Sequence, residues 1–165
     1  MALKKTLTIA GSDTSAGAGM QADLKTFQEL QTYGIVALTS IVTMDKATWS
    51  HDVTPIPFDV FEKQLETAIS IGPDAVKTGM LGTEEIIKRA GEAYVQSGAD
   101  YFVVDPVMVC KGEDEVLNPG NTDAMIEYLL PKATVVTPNL FEAGQLSQLG
   151  KLTSIADMKK AAQII

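Results

Sequence analysis

The stretch Leu7-Thr-Ile-Ala-Gly-Ser-Asp-Thr-Ser-Ala-Gly-Ala-Gly-Met-Gln-Ala-Asp-Leu24 decides how this chain folds. Leu7 to Ala10 is a short apolar run that reads as a strand, and Gly11 to Gly19 is too rich in glycine and small polar residues to continue it. From Met20 to Leu30 the spacing of Leu24, Phe27 and Leu30 puts the apolar side chains on one side of a helix. Strand, glycine-rich loop and amphipathic helix make a βα unit, and the unit recurs outward from this one. Ile35 to Val42, Ala75 to Thr78, Tyr101 to Val104 and Thr134 to Thr137 read as further strands. Val60, Phe61, Leu65, Ala68 and Ile69 keep helical spacing until Gly72-Pro73 stops them. Thr83 caps a helix with Glu84 and Glu85 at its positive end, and Met125, Ile126, Leu129 and Leu130 mark another. The segment through Trp49, His51 and Pro55 reads as a polar loop. Short, nearly continuous apolar strands alternating with helices predict an α/β fold, a central, mostly parallel sheet covered by helices on both faces.

Composition narrows the function classes. The chain has 165 residues, 45% of them hydrophobic, with 13 Lys and Arg against 21 Asp and Glu, a net charge of −8. An acidic chain without a basic run is a poor partner for a nucleic-acid backbone. Its apolar runs, such as Ile35 to Leu38, fall far short of the roughly 18 residues that span a bilayer, so no membrane partner is expected. One cysteine, Cys110, agrees with a reducing compartment, and a cytoplasmic location is the expectation. The last residues add a further expectation. Ser154 and Asp157 form a capping box with Asp in place of Glu, and Met158, Ala161, Ala162 and Ile165 follow as an apolar stripe. A βα series that stops on such a helix normally feeds another parallel strand, which predicts that residues 1–165 are the N-terminal part of a single longer domain.

Ligands of open parallel sheets collect beyond the carboxyl ends of the strands. The conspicuous residues fall there: the Gly11 to Gly19 loop, Met44-Asp45, Thr78-Gly79-Met80, Asp105 to Gly112 and Thr137 to Glu142. The first loop lacks the P-loop pattern. Gly17-Ala18-Gly19-Met20-Gln21-Ala22 matches a loose dinucleotide fingerprint, but it begins well past the strand end and is flanked by Asp13 and Asp23, which would repel a pyrophosphate. Those carboxylates could instead accept hydrogen bonds from a hydroxyl or ring-nitrogen substrate. Asp105-Pro106 is either a turn or a carboxylate aimed at the cleft. Asn139-x-x-Glu142 is either a capping box or, with Asp105, a hard-oxygen site for Mg²⁺ beside nucleotide phosphates. Cys110 is either a small buried hydrophobe or, beside Lys111, an activated thiolate at the root of a long loop. His51 shows no metal-ligand spacing; with Trp49 it could cover a flat ring or fill surface.

Five linked motifs, Thr8-Ile-Ala-Gly-Ser-Asp13, Ser15-Ala-Gly-Ala-Gly-Met-Gln-Ala-Asp-Leu-Lys-Thr26, Lys77-Thr-Gly-Met-Leu81, Val104-Asp-Pro-Val-Met108 and Thr137-Pro-Asn-Leu-Phe-Glu-Ala143, resemble in order the hydroxymethylpyrimidine and pyridoxal kinases of the ribokinase superfamily. The resemblance implies a ribokinase-like fold and transfer of the ATP γ-phosphate to a hydroxymethyl group of a small pyridine or pyrimidine ring. It places Gly11, Ala18, Gly19, Asp23, Met44, His51, Met80 and Val107 around the substrate. Asp105 and Glu142 would organise Mg²⁺, Asn139 and Lys111 would lie near the phosphates, and Cys110 with Lys111 would serve catalysis. Frequent dimers among such kinases imply a homodimer.

Two departures refine the expectation. The dedicated pyrimidine kinases carry Gln at position 44, which can pair with an aminopyrimidine edge, whereas the thioether of Met44 cannot. With Val109-Cys110-Lys111-Gly112 this resembles the dual-cysteine pyridoxal kinases, in which a lid cysteine adds to the pyridoxal aldehyde. The expected reaction is therefore phosphorylation of pyridoxal, pyridoxine or pyridoxamine in vitamin B6 salvage. Hydroxymethylpyrimidine and phosphomethylpyrimidine phosphorylation in thiamine biosynthesis is the alternative. The readings from other classes are an NAD(P)-binding oxidoreductase, separated by testing NAD(H) against ATP-Mg²⁺, and a non-catalytic ligand-binding fragment. The family's C-terminal anion hole and activating residue have no counterpart in these 165 residues.

Overall fold

The computed structural model describes residues 2–108 and 119–165. Its strands are β1 (Lys5–Asp13), β2 (Tyr33–Met44), β3 (His51–Pro55), β4 (Ala75–Thr78), β5 (Tyr101–Val104) and β6 (Val135–Val136). Its helices are α1 (Gly19–Glu29), α2 (Phe58–Ser70), α3 (Glu84–Ser97), α4 (Pro119–Tyr128), α5 (Leu140–Leu146) and α6 (Ile155–Ile164). The strands form one sheet in the order β3-β2-β1-β4-β5-β6. Every pairing is parallel except β2 with β3. The expected α/β architecture is therefore present with two corrections. Gly11 to Asp13, read as the start of the loop, continue β1, with a shift of register after Ala10 that resumes pairing at Ser12 and Asp13. His51–Pro55, read as loop, is an antiparallel edge strand that returns along the second half of β2.

Register sorts the side chains. Thr8 lies beside Val36 and Lys77, and Lys77 beside Val103, so these four share one face. That face meets α1: the Thr8 hydroxyl donates to Asp23, and Leu24 and Phe27 lie so close over Gly34 that a side chain there would collide with them. The alternate residues Leu7, Ile9, Ile35, Ala37, Val76, Phe102 and Val104 turn to the other face and pack with Phe61, Leu65, Ile87, Ala90, Met125 and Leu129 of α2, α3, α4 and the residue just past α4. Tyr94 stacks on Phe102 at 4.5 Å between ring centroids. Truncating a fully buried aromatic such as Phe102 to Ala costs about 3–5 kcal/mol. An Arg89–Glu62 ion pair, made through two guanidinium nitrogens at 2.8–3.0 Å, ties α3 to α2. Among the described residues no helix is long and apolar enough to cross a membrane.

The strand order reverses between β1 and β4, because β1 leads to β2 on one side and the later units build away on the other. A crevice opens at the carboxyl ends of strands where order reverses. The loop after β1 reaches this crevice through Gly19, whose φ is +60°. A Cβ at Gly19 would stand 2.5 Å from the Gly11 carbonyl oxygen. Gly72 also has a positive φ, +73°, yet a Cβ there would meet nothing within 4 Å.

The pair separates backbone strain from close approach. Gly72→Ala is expected to cost about 1–2 kcal/mol, the left-handed strain alone. Gly19→Ala is expected to cost more, on the order of 3 kcal/mol, because the collision adds to the strain. Urea unfolding of the two variants checks the order; equal losses would remove the role assigned to the Gly11–Gly19 approach.

Candidate functional site

The crevice floor is built from residues at the ends of β1 and β4. Gly11 is pressed against Ser40 and Met80: a Cβ there would be 2.7 Å from the Ser40 hydroxyl and 3.8 Å from the Met80 Cβ. The Met80 carbonyl accepts a hydrogen bond from Thr39, 2.6 Å, which pins the loop after β4 to β2. Met44 and His51 are register partners across β2 and β3, so two expected substrate residues stand side by side on one face of the hairpin. Trp49 lies at the hairpin turn and is 66% exposed.

Asp13 shapes the loop that leads into α1. Its carboxylate accepts the Ser15 backbone N–H and hydroxyl, both at 2.8 Å, and the Ala18 N–H at 2.8 Å. Burial alone would push this carboxyl up, but the donors of Ser15, Ala18 and Gly17 together hold it below the usual carboxylate range. The same contacts argue against a dinucleotide cradle here. The Ala18 N–H, at the helix start where a pyrophosphate would sit, is already engaged by an acid of the chain itself.

Beside the loop, on the α1 face, a row of charged groups crosses three elements. Asp23 of α1 accepts the Thr8 hydroxyl at 2.6 Å. Lys77 of β4 places its Nζ 3.2 Å from Asp23 Oδ1 and 3.5 Å from Asp105 Oδ2. Burial pushes the Asp105 carboxyl up and Asp23 adds to this, against the downward pull of Lys77. Glu142 is buried; burial and then the neighbouring Asp105 charge push it up, against hydrogen bonds from the backbone of Asn139 and Met108.

The Asn139-x-x-Glu142 pattern is a capping box. Asn139 Oδ1 accepts the Glu142 N–H at 2.9 Å, and Glu142 Oε2 accepts the Asn139 N–H at 2.8 Å. Capping therefore delivers a buried carboxylate to the strand ends, within electrostatic reach of Asp105. Three acids against one lysine leave an excess of negative charge, and the donors are hard oxygens, which suits Mg²⁺. Among the described residues no three acid, His or Cys side chains gather as a cage, and Mg²⁺ does not need one, since waters and phosphates complete its shell.

Of the expected site residues, Gly11, Gly19, Asp23, Met80, Asp105 and Glu142 gather along the ends of β1, β4, β5 and β6, with Ala18 at the start of α1 and Val107 two residues past Asp105. Asn139 is exposed at the start of α5. Cys110 and Lys111 lie outside the described residues. Thr8 and Lys77 open the first and third of the five motifs, and the one sign of a role for Lys77 in the sequence is its charge within an otherwise apolar strand.

The family profile described as phosphomethylpyrimidine kinase matches residues 13–165. A pyridoxal kinase from Staphylococcus aureus, solved in complex with ADP and in complex with pyridoxal, superposes with a TM-score of 0.95 in each. Identity to it is 86% in the ADP complex, over 99% of this chain and 59% of that one. The pyridoxine kinase of Bacillus subtilis is 53% identical over all of this chain and 62% of its own length. A phosphomethylpyrimidine kinase from Clostridium difficile is 39% identical over 97% of this chain and 71% of that chain, with a TM-score of 0.86. The chain thus spans about three fifths of the length of the curated relatives it matches.

Asp13 sets an acid limit on stability. Its folded carboxyl lies below an unfolded value of about 3.9, so its contribution is complete above that pH and is lost as pH falls through the folded value. Asp13→Asn is expected to lower stability at neutral pH by about 1–2 kcal/mol and to flatten the acid limb below about pH 4. Urea midpoints measured from pH 7 down to 2.5 check this; parallel curves for the two proteins would contradict it.

Proposed function

Because the chain belongs to the phosphomethylpyrimidine kinase family, we propose that the protein transfers the γ-phosphoryl group of ATP to the hydroxymethyl group of pyridoxal, pyridoxine or pyridoxamine. The observation that carries the reading is 86% identity, over nearly the whole chain, to a pyridoxal kinase solved with ADP and, separately, with pyridoxal. Met44 supports the pyridine ring over the aminopyrimidine, because a thioether offers no bidentate partner to a ring edge. Phosphomethylpyrimidine kinase activity is the second reading, favoured by the family profile and by the 39% identical relative.

In this reading the chain's residues position and neutralise charge, the two tasks that dominate phosphoryl transfer. Asp23 accepts from a ring substituent and orients the alcohol, while Ala18, Met80 and Val107 pack the ring, and Gly11, Gly19, Met44 and His51 complete its pocket. Asp105 and Glu142 hold Mg²⁺, which when bound offsets the negative charge of the phosphates. Asn139 and Lys111 lie near those phosphates. The Cys110 thiol adds to the aldehyde of pyridoxal: a C–S bond forms, the C=O π bond opens, and the thiol proton passes to oxygen. Residues 1–165 form the N-terminal part of one ribokinase-like domain, working in the cytosol as a homodimer.

Two assays test the reading. ATP consumption with pyridoxal or pyridoxine is expected in a chain extended to the length of its relatives and to be greatly reduced in the 165 residues alone. Faster turnover of hydroxymethylpyrimidine than of any B6 vitamer would transfer the assignment to the second reading. In the extended chain Cys110→Ala is expected to impair pyridoxal more than pyridoxine, which has no aldehyde. Equal losses on both substrates would remove the covalent role of Cys110.

A further inference from the structure

We propose that Lys77 is a positioning residue for the pyridine alcohol: its ammonium holds Asp23 to the sheet and thereby sets where the first turn of α1, and Ala18 before it, stand. The proposal rests on the kinase reading above, in which Asp23 and Ala18 meet the ring.

The observation behind it is how α1 is attached. None of its residues is fully buried, and its N-cap, Ala18, has no side-chain hydrogen bond to offer. Leu24 and Phe27 lie over Gly34, later in the helix. Besides the Asp13 carboxylate, which accepts the Ala18 N–H at 2.8 Å, two polar side chains of α1 itself tie down its start. Gln21 accepts the Asp13 N–H at 2.9 Å and donates to the Ser12 hydroxyl at 2.6 Å. Asp23 is held by Thr8 at 2.6 Å and by Lys77, whose Nζ is 3.2 Å from one carboxylate oxygen and 3.4 Å from the other. The Lys77 and Asp23 side chains are 24% and 13% exposed, so the pair is far less screened than a surface ion pair.

An ammonium has three donors. At Lys77 they face Asp23, Asp105 at 3.5 Å and the Thr78 carbonyl at 3.3 Å. All three are turned to partners within the protein, which fits a residue that orients other groups and not one that reaches for a phosphate. Without it, Asp23 and Asp105 would have no other cation of the described residues between them. Among the described residues Asp23 would keep only the Thr8 hydroxyl, and it could rotate toward water, loosening the start of α1.

The test uses Lys77→Met in the full-length protein, with Thr8→Val as a milder variant that removes one hydroxyl from the same carboxylate. In Lys77→Met, amide hydrogen exchange across Gly19–Glu29 is expected to quicken by at least about tenfold while Glu84–Ser97 is unchanged; Thr8→Val shifts the same segment by less. In steady-state kinetics, KM for pyridoxine rises by about tenfold or more and KM for ATP stays within about twofold. Adding Lys77→Met to Asp23→Asn then raises KM for pyridoxine little further, because both act through one carboxylate. Faster exchange spread equally over both helices, a rise confined to KM for ATP, or full additivity with Asp23→Asn would each overturn the proposal. Absence of pyridoxine turnover in the unaltered protein would overturn the kinase reading, while the exchange measurement still decides whether Lys77 holds α1.

Discussion

Parallel pairing along both edges of β1 is the constraint on which the rest of the structure hangs. A parallel pair cannot be closed by a tight turn, so the chain must cross over through a helix each time. Crossovers are right-handed, and the chain leaves β1 toward β2 in one direction and builds β4, β5 and β6 in the other. That reversal sends α1 to one face and α2, α3 and α4 to the other, and opens the crevice between the ends of β1 and β4. The glycine loop, Met80 and the acids beyond β5 and β6 meet because the strands that carry them all point the same way.

Charge at the crevice follows from burial and from which donors reach each acid. Asp13 and Glu142 are both buried carboxylates, yet their affinities for a proton move in opposite directions. Asp13 is ringed by N–H and hydroxyl donors from its own loop, and these outweigh desolvation. Glu142 receives two backbone hydrogen bonds, which do not offset desolvation and the charge of Asp105. Lys77 answers part of the negative charge at Asp23 and Asp105 and, among the described residues, does not reach Glu142. The imbalance lies where a divalent cation and phosphate oxygens would be held together in the proposed reaction.

Much of this was legible in the chain. Ala75–Thr78 and Tyr101–Val104 are short apolar runs bounded by turn residues, and both strands keep the bounds that the runs predict. The capping boxes at Asn139 and Ser154 are local patterns whose partners lie three residues apart, so spacing alone locates them. Strand β3 was not legible: His-Asp-Val-Thr-Pro is an edge strand, supported along one side and mostly exposed, so it needs no apolar alternation. The role of Lys77 was hidden for a different reason. A lysine in a strand carries no signal of its partners, and Asp23 and Asp105 are distant in sequence on either side of it.

The sequence by itself determined the α/β class, the βα order, the motif set that defines the family and the local caps, because each depends on side-chain periodicity or on partners within one helical turn. Only the tertiary structure decided that Asp13 is enclosed by its own loop, that Met44 and His51 stand side by side, and that one ammonium bridges Asp23 and Asp105. Those relations depend on strand order and register, and register is settled by packing both faces of the whole sheet at once. No short stretch of the chain contains that information.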